Sequence, residues 1–311
     1  MILTWTLRFN DVLDPDKLQR ACPTPGDWDW RLEKAWRQTV IECEGLLYQR
    51  LQGAYKDILG DVITSGPDPE PLIMEPKQLK GFNMLRFGLN LLWELTFDPP
   101  MRTQMLYLPS TFVLQLQHYA VNNLKAISGE SDPSFVSEGD VLSAWATSML
   151  AMIRGRNRPL IVLNAVDAQE AFEASLGETA QKFRSDILQQ ITEPQIKAMI
   201  RQKQTAARDA AAPAMYGETN SLLMVVSNWT KANFFKMIDF SPAVIKSFLA
   251  DGDRHQPGMI VYQHSHLMIT SPMARNVFNT LGTYLQGNYW VGGTFSSDWW
   301  AKLEQEVERA M

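Results

Sequence analysis

The sequence predicts an α/β protein. Two observations carry that reading: segments with strand and helix periodicity alternate along the chain, and the last hundred residues turn rich in β-branched residues broken by turn signals. The 311-residue length fits two domains or one large one. Hydrophobic residues at 45% and charged residues at 20% exclude a disordered, collagenous or coiled-coil chain.

The elements follow in order. Leu3, Trp5, Leu7 and Phe9 alternate with Thr4, Thr6 and Arg8, the period of a strand. Asp14-Pro15 supplies an N-cap and a proline at the first helical position. Pro23, Pro25 and Gly26 break the chain, and Leu32, Trp36, Val40, Cys43, Leu47, Leu51 and Ile58 then fit a helix from Trp30 to Leu59. Alternate prolines make 65–71 a loop. Helices are expected from Lys77 to Thr96, where Pro99-Pro100 stops the block, and from Ser110 to Ile127. Ser137-Glu-Gly-Asp140 has the form of a capping box with Asp as its acid, and opens a helix bearing Val141, Leu142, Trp145, Met149 and Ile153.

Leu160–Val166 reads as a short buried strand, and 168–190 and 193–211 as two helices. Ser221–Asn228, Phe234–Ile238 and Met259–Thr270 read as strands. Ser271-Pro272 predicts a helix to Leu285, Gly287 to Gly293 another strand, and Asp298–Arg309 a closing helix.

Charge and composition exclude several functions. A net charge of −5 gives no basic field for a polyanion, so no nucleic-acid partner is expected. No apolar run approaches the ~20 residues of a spanning helix, so no membrane partner is expected. The first eight residues lack the pattern of a secretory signal, and Cys22 and Cys43 make neither a disulfide framework nor a zinc site, so a reducing cytoplasm is the expected location. Neither GxGxxG, a P-loop, GxSxG nor HExxH occurs. His264-Ser-His266 reads as polar residues on a strand face, and no metal site is expected. Arg154-Gly-Arg-Asn-Arg158 reads as a solvated helix C-terminus.

Ser227-Asn-Trp229, a short spacer, and Phe234-Phe-Lys-Met-Ile-Asp239-Phe-Ser-Pro-Ala243 resemble the C-terminal region of the BAHD-type acyl-CoA-dependent acyltransferases, in particular their fungal branch. Tyr107-Leu-Pro-Ser-Thr-Phe-Val113, Phe135-Val-Ser-Glu-Gly-Asp-Val-Leu-Ser-Ala-Trp145, Gly287-Asn-Tyr-Trp-Val-Gly-Gly293 and the opening Leu7–Leu18 are similar to further family segments, in the family's order. The resemblance implies a two-lobed, chloramphenicol-acetyltransferase-like fold, with lobes at 1–155 and 156–311 and the first lobe incomplete.

It also implies transfer of an acyl group, acetyl above all, from acyl-CoA to a hydroxyl of a fungal secondary metabolite. No bound cofactor is implied; acetyl-CoA is the co-substrate. By resemblance Ser227 holds the oxyanion, Asn228 and Trp229 bind substrate, and Asp239 is structural. Core packing is the alternative role for Trp229. Ser241-Pro-Ala243 replaces the family's Gly-Trp-Gly. The family's general base is the histidine of His-x-x-x-Asp. Here the residues four after His118, His255, His264 and His266 are Asn122, Met259, Met268 and Thr270, and no histidine lies between Ala21 and Leu72, so no general base is assigned. The alternative is a catalytically inactive member that binds a ligand, or a protein partner that completes the first lobe.

Overall fold

The computed structural model describes residues 3–14, 17, 28–35, 38–45, 70–129, 135–154, 158–163, 166–167, 174–208, 214–230, 234–237, 240–247, 256–267 and 275–310. They form a mixed α/β fold. The chain divides into two compact units, one of residues 1–56, 229–271 and 281–291, the other of 57–228, 272–280 and 292–311.

The first unit holds β1 (Leu3–Phe9), β2 (Asp11–Leu13), β3 (Trp28–Ala35) and β4 (Gln38–Gly45). It also holds a single turn of helix, α6 (Phe234–Met237), and β9 (Val244–Ser247) and β10 (Ile260–Leu267). A four-stranded sheet runs β10-β1-β4-β3, and β2 pairs separately with β9. β1 lies antiparallel to both neighbours, with Trp5 opposite Ser265 and Cys43. The predicted alternation holds where it is visible: Arg8 is exposed and Phe9 fully buried, edge-on to Phe240 at 4.8 Å. Asp11, also buried, accepts a 2.6 Å bond from the Gly258 N–H. Gly258 has φ +80°, and a Cβ there would lie 2.2 Å from the Ser241 nitrogen, so only glycine fits.

Two expectations fail in this unit. The stretch from Trp30 is not helical where it is described: Trp28–Ala35 and Gln38–Gly45 pair antiparallel, Trp28 opposite Gly45 and Ala35 opposite Gln38. Apolar residues spaced three and four apart mimic a helix face, but Thr39-Val-Ile41 favours a strand and β1 supplies its partner. Residues 46–59 lie outside the described residues. Phe234–Met237 is a helical turn rather than a strand.

The second unit holds the helices α1 (Gly81–Phe97), α2 (Ser110–Ser128), α3 (Glu138–Arg154), α4 (Leu176–Gln190), α5 (Glu193–Arg208) and α7 (Ser297–Ala310). Its strands are β5 (Met101–Leu108), β6 (Leu160–Leu163), β7 (Val166–Asp167) and β8 (Leu222–Asn228), joined by the near part of β11 (Val277–Thr283) and the far part of β12 (Tyr289–Ser296). The order is β5-β12-β11-β8-β6-β7, with β8 parallel to both β6 and β11.

Alternation along β8 sorts its side chains onto two faces. Leu223 joins Ile161, Leu79, Met215 and Phe87 of α1 in one cluster. Met224 faces the other way and takes the Thr147 hydroxyl of α3 at 3.6 Å. On that second face Phe278 of β11 meets Trp299 of α7, which stacks on Phe295 at 3.6 Å. The sheet is therefore covered by α3 and α7 on one side and α1 on the other.

The helix starts predicted at Ser137 and at Thr192-Glu-Pro194 hold, and the helix expected from 168 is helical from Leu176. Ser175 and Glu178 form a reciprocal box at the head of α4. The expected helix at 271–285 is instead β11 in its described part. Asn276, at φ +50°, turns the chain into the strand and donates from Nδ2 to the Leu223 carbonyl at 2.9 Å. Parallel pairing with β8 then outweighs the Ser-Pro start signal. β5 is a strand that the sequence pattern did not reveal. The Arg154–Arg158 cluster is not simply solvated: Arg154 and Arg275 both pair with Asp98, at 2.9 and 3.1 Å, and Arg158 pairs with Glu94.

Candidate functional site

The site built from sequence centres on the end of β8. Val225 and Val226 of β8 pair with Val277 and Phe278 of β11, and Ser227 and Asn228 stand opposite Asn279 and Thr280. In open sheets with parallel strands, the carboxyl ends are where ligands bind. Ser227 is half-buried and Asn228 exposed. Alternation turns their side chains to opposite faces: Ser227 shares its face with Leu223, Asn228 with Met224. Trp229, also half-buried, follows directly after the strand. Asp239 lies outside the described residues.

On the Asn228 face, the N-terminus of α3 abuts β8. The Gly139 backbone passes so close that a Cβ there would fall 2.1 Å from Asn228 Nδ2. The helix start is firmly held. The backbone N–H and hydroxyl of Ser137 donate to Asp140 Oδ2 at 2.8 and 2.7 Å, and the Asp140 N–H donates back to Ser137 Oγ at 3.3 Å. This is the capping box expected from the sequence. Arg184 of α4 pairs with the same Asp140 oxygen at 3.2 Å and lies over the Phe135 ring at 4.7 Å. Ser143 Oγ donates to the Gly139 carbonyl at 2.7 Å. Thr280, opposite Asn228, is buried, and its hydroxyl has no hydrogen-bond partner among the described residues.

Of the histidines, His118 and Asn122 are exposed on α2, as a helical surface pair would be. His264 and His266 stand on β10 opposite Thr6 and Thr4, and His255 lies outside the described residues. Among the described residues no group of three His, Cys, Asp or Glu side chains is placed to hold a metal ion. No helix among them is long and apolar enough to cross a membrane. Burial pushes the Tyr262 phenol up from its ordinary range, and that ring sits edge-on to Trp290 at 5.5 Å.

Gly139, Arg184 and Thr280 were not selected by sequence reasoning. The capping box was visible as a motif, but the contact of its glycine with Asn228 depends on packing and leaves no local pattern.

No family model matches the chain. It is 31% identical over 290 residues to acetyltransferase pyiB of Pyricularia grisea, a match covering 83% of this chain and 57% of that protein. It is 25% identical over 277 residues to O-acetyltransferase PaAT-2 of Phomopsis amygdali, covering 77% and 56%. The chain thus spans a little over half the length of these curated relatives. Among solved structures it superposes on F. sporotrichioides TRI101 complexed with coenzyme A and T-2, with TM-score 0.55, 11% identity and coverage of 91% of this chain and 68% of that one.

Proposed function

We propose that this chain, a homologue of fungal acetyltransferases with the fold of TRI101, is an acyl-CoA-dependent O-acyltransferase of fungal specialised metabolism. It moves an acetyl group from acetyl-CoA to a hydroxyl of a small metabolite, in the cytoplasm. The observation that carries this reading is the sequence likeness to acetyltransferases over 83% of the chain. A neighbour of the same fold was crystallised with coenzyme A and T-2, which supports the substrate classes.

The acceptor oxygen attacks the thioester carbonyl, and a tetrahedral intermediate carries an oxyanion. The Ser227 hydroxyl donates to that oxygen; a donor so aimed contributes ~3 kcal/mol in a dry site. Collapse breaks the carbon–sulfur bond, and coenzyme A leaves with the proton given up by the acceptor. Trp229 shapes the acceptor side. No residue of this chain is assigned as the base that takes the acceptor proton, a role worth ~10²–10⁴ in rate.

The test is incubation with acetyl-CoA and a panel of hydroxylated terpenoid and polyketide acceptors, with mass detection of product. The expected result is release of free thiol that depends on the acceptor and falls ~10²–10³-fold in Ser227→Ala. Absence of thiol release across the panel rejects the reading.

One observation favours a second reading, a family member that acts by binding a partner. The outer face of α1 leaves Phe82, Leu85, Leu89, Leu92, Trp93 and Phe97 exposed. The three aromatic rings among them, each offering ~150–250 Å² in full, put roughly 400 Å² of apolar surface into water. That is the scale at which a patch marks an interaction surface, here one for a polypeptide that completes the fold. Sedimentation as a monomer without binding of an apolar dye rejects this reading.

A further inference from the structure

We infer that Gly139 is a positioning residue: it fixes the Asn228 carboxamide, and through it the end of β8 that carries Ser227. Its consequence for catalysis rests on the acyltransferase reading above; its geometry does not. A Cβ at 139 would occupy the place of Asn228 Nδ2, at 2.1 Å. The first turn keeps its own shape, and a shift of it would strain the pair with Arg184. Asp140 ties the first turn to Ser137 and to Arg184 of α4, and Ser143 holds the Gly139 carbonyl. The group that yields is the far end of Asn228. One peptide bond separates it from Ser227, and Thr280 stands opposite it on β11.

The assignment changes the part given to Asn228. Its side chain and that of Ser227 leave β8 on opposite faces, so Asn228 does not share a ligand with the Ser227 hydroxyl. It is the latch between the strand and the N-terminus of α3, and glycine at 139 is what the latch closes on.

Three variants test this: Gly139→Ala, Asn228→Ala and the double variant. Alanine at 139 is also the better helix former, so Gly139→Ala keeps its melting temperature within about 3 °C of the parent. The expected spectroscopic result is that the backbone amide signals of Ser227 and Thr280 move in Gly139→Ala. In the double variant they match those of Asn228→Ala alone, because the colliding group is gone. Signals unmoved by Gly139→Ala, or moved equally in both backgrounds, overturn the inference. If Gly139→Ala fails to fold, recovery of folding in the double variant supports the latch, and failure of both overturns it.

A kinetic measurement reads the catalytic consequence. With acetyl-CoA and an accepted hydroxyl acceptor, Gly139→Ala lowers kcat by about 10–100-fold and leaves KM for acetyl-CoA unchanged, since the misplaced Ser227 acts in the transition state. If the parent chain releases no thiol, the acyltransferase reading fails while the amide signals still decide the latch.

Discussion

Two helices of equal length cover the two faces of one sheet and differ sharply in what they bury. α3 and α1 have 17 residues each, yet α3 buries twelve of them and α1 only Phe87 and Glu94. Both sequences are apolar around most of their circumference, the pattern of a helix inside a protein. α3 satisfies it, wedged between β8 and α4 with α7 beside it. α1 satisfies it on one side only: Phe87 enters the cluster with Leu79, Ile161, Met215 and Leu223, and Glu94 is buried because Arg158 pairs with it. The lesson is that apolar composition sets the state of a segment, while the neighbours it finds set how much of it is covered.

The largest effects should lie in α3. Trp145 is buried and meets Phe112 edge-on at 5.2 Å. Trp145→Ala is expected to cost ~3–5 kcal/mol by urea unfolding, the cost of deleting a buried ring. Trp93→Ala in α1, where the ring is 65% exposed, should stay within ~0.5 kcal/mol. Equal costs would break the comparison. Next in size is Asp140→Asn, which keeps the shape of the side chain and removes its charge. It weakens both the box with Ser137 and the pair with Arg184. The half-exposed Arg184 makes the pair a small contribution, so a total of ~1–2 kcal/mol is expected.

Legibility in the sequence followed the same division. Segments whose state is set locally could be read directly: the Ser137–Asp140 box, the helix it opens, and β8 with its apolar run all stand where the pattern puts them. Segments decided by a distant partner could not. The β3–β4 pair needs β1, and β11 needs β8; each had a helix signal that pairing overrode. The site divided likewise. Ser227 and Asn228 were found by motif resemblance and their opposite facing follows from strand alternation, but the pairing of β8 with β11 comes from a distant strand and the closeness of Gly139 to Asn228 from helix packing. Neither is written in local spacing.

A smaller effect sharpens the α1 side. Leu89, more than half exposed on α1, can take a charge without leaving a cavity. Leu89→Lys should change stability by less than ~0.5 kcal/mol while reducing apolar-dye binding and raising solubility. The same change at Leu142 of α3, which is fully buried, should prevent folding. A loss above ~2 kcal/mol for Leu89→Lys would mean that α1 is covered in solution, and would make the two helices alike.

The smallest effect concerns how dry the Tyr216 phenol is beside Gln202 of α5. Residues 215–217 run alongside the segment leading into that helix: the Met215 carbonyl accepts from Leu79, and Tyr216 bridges to Gln78. Burial pushes the Tyr216 phenol above its ordinary value; the hydrogen bond to Gln202 works the other way and Glu75 adds to the rise. A phenol with a raised folded-state pKa contributes stability that is whole below the unfolded value near 10 and is lost as pH climbs past it. Unfolding followed from pH 9 upward should therefore show a decline that Tyr216→Phe flattens. Ultraviolet difference titration should show this tyrosine ionising after the exposed ones. If it ionises with them, water reaches the ring beside Gln202, and the contact between residues 215–217 and α5 is wetter than the geometry implies.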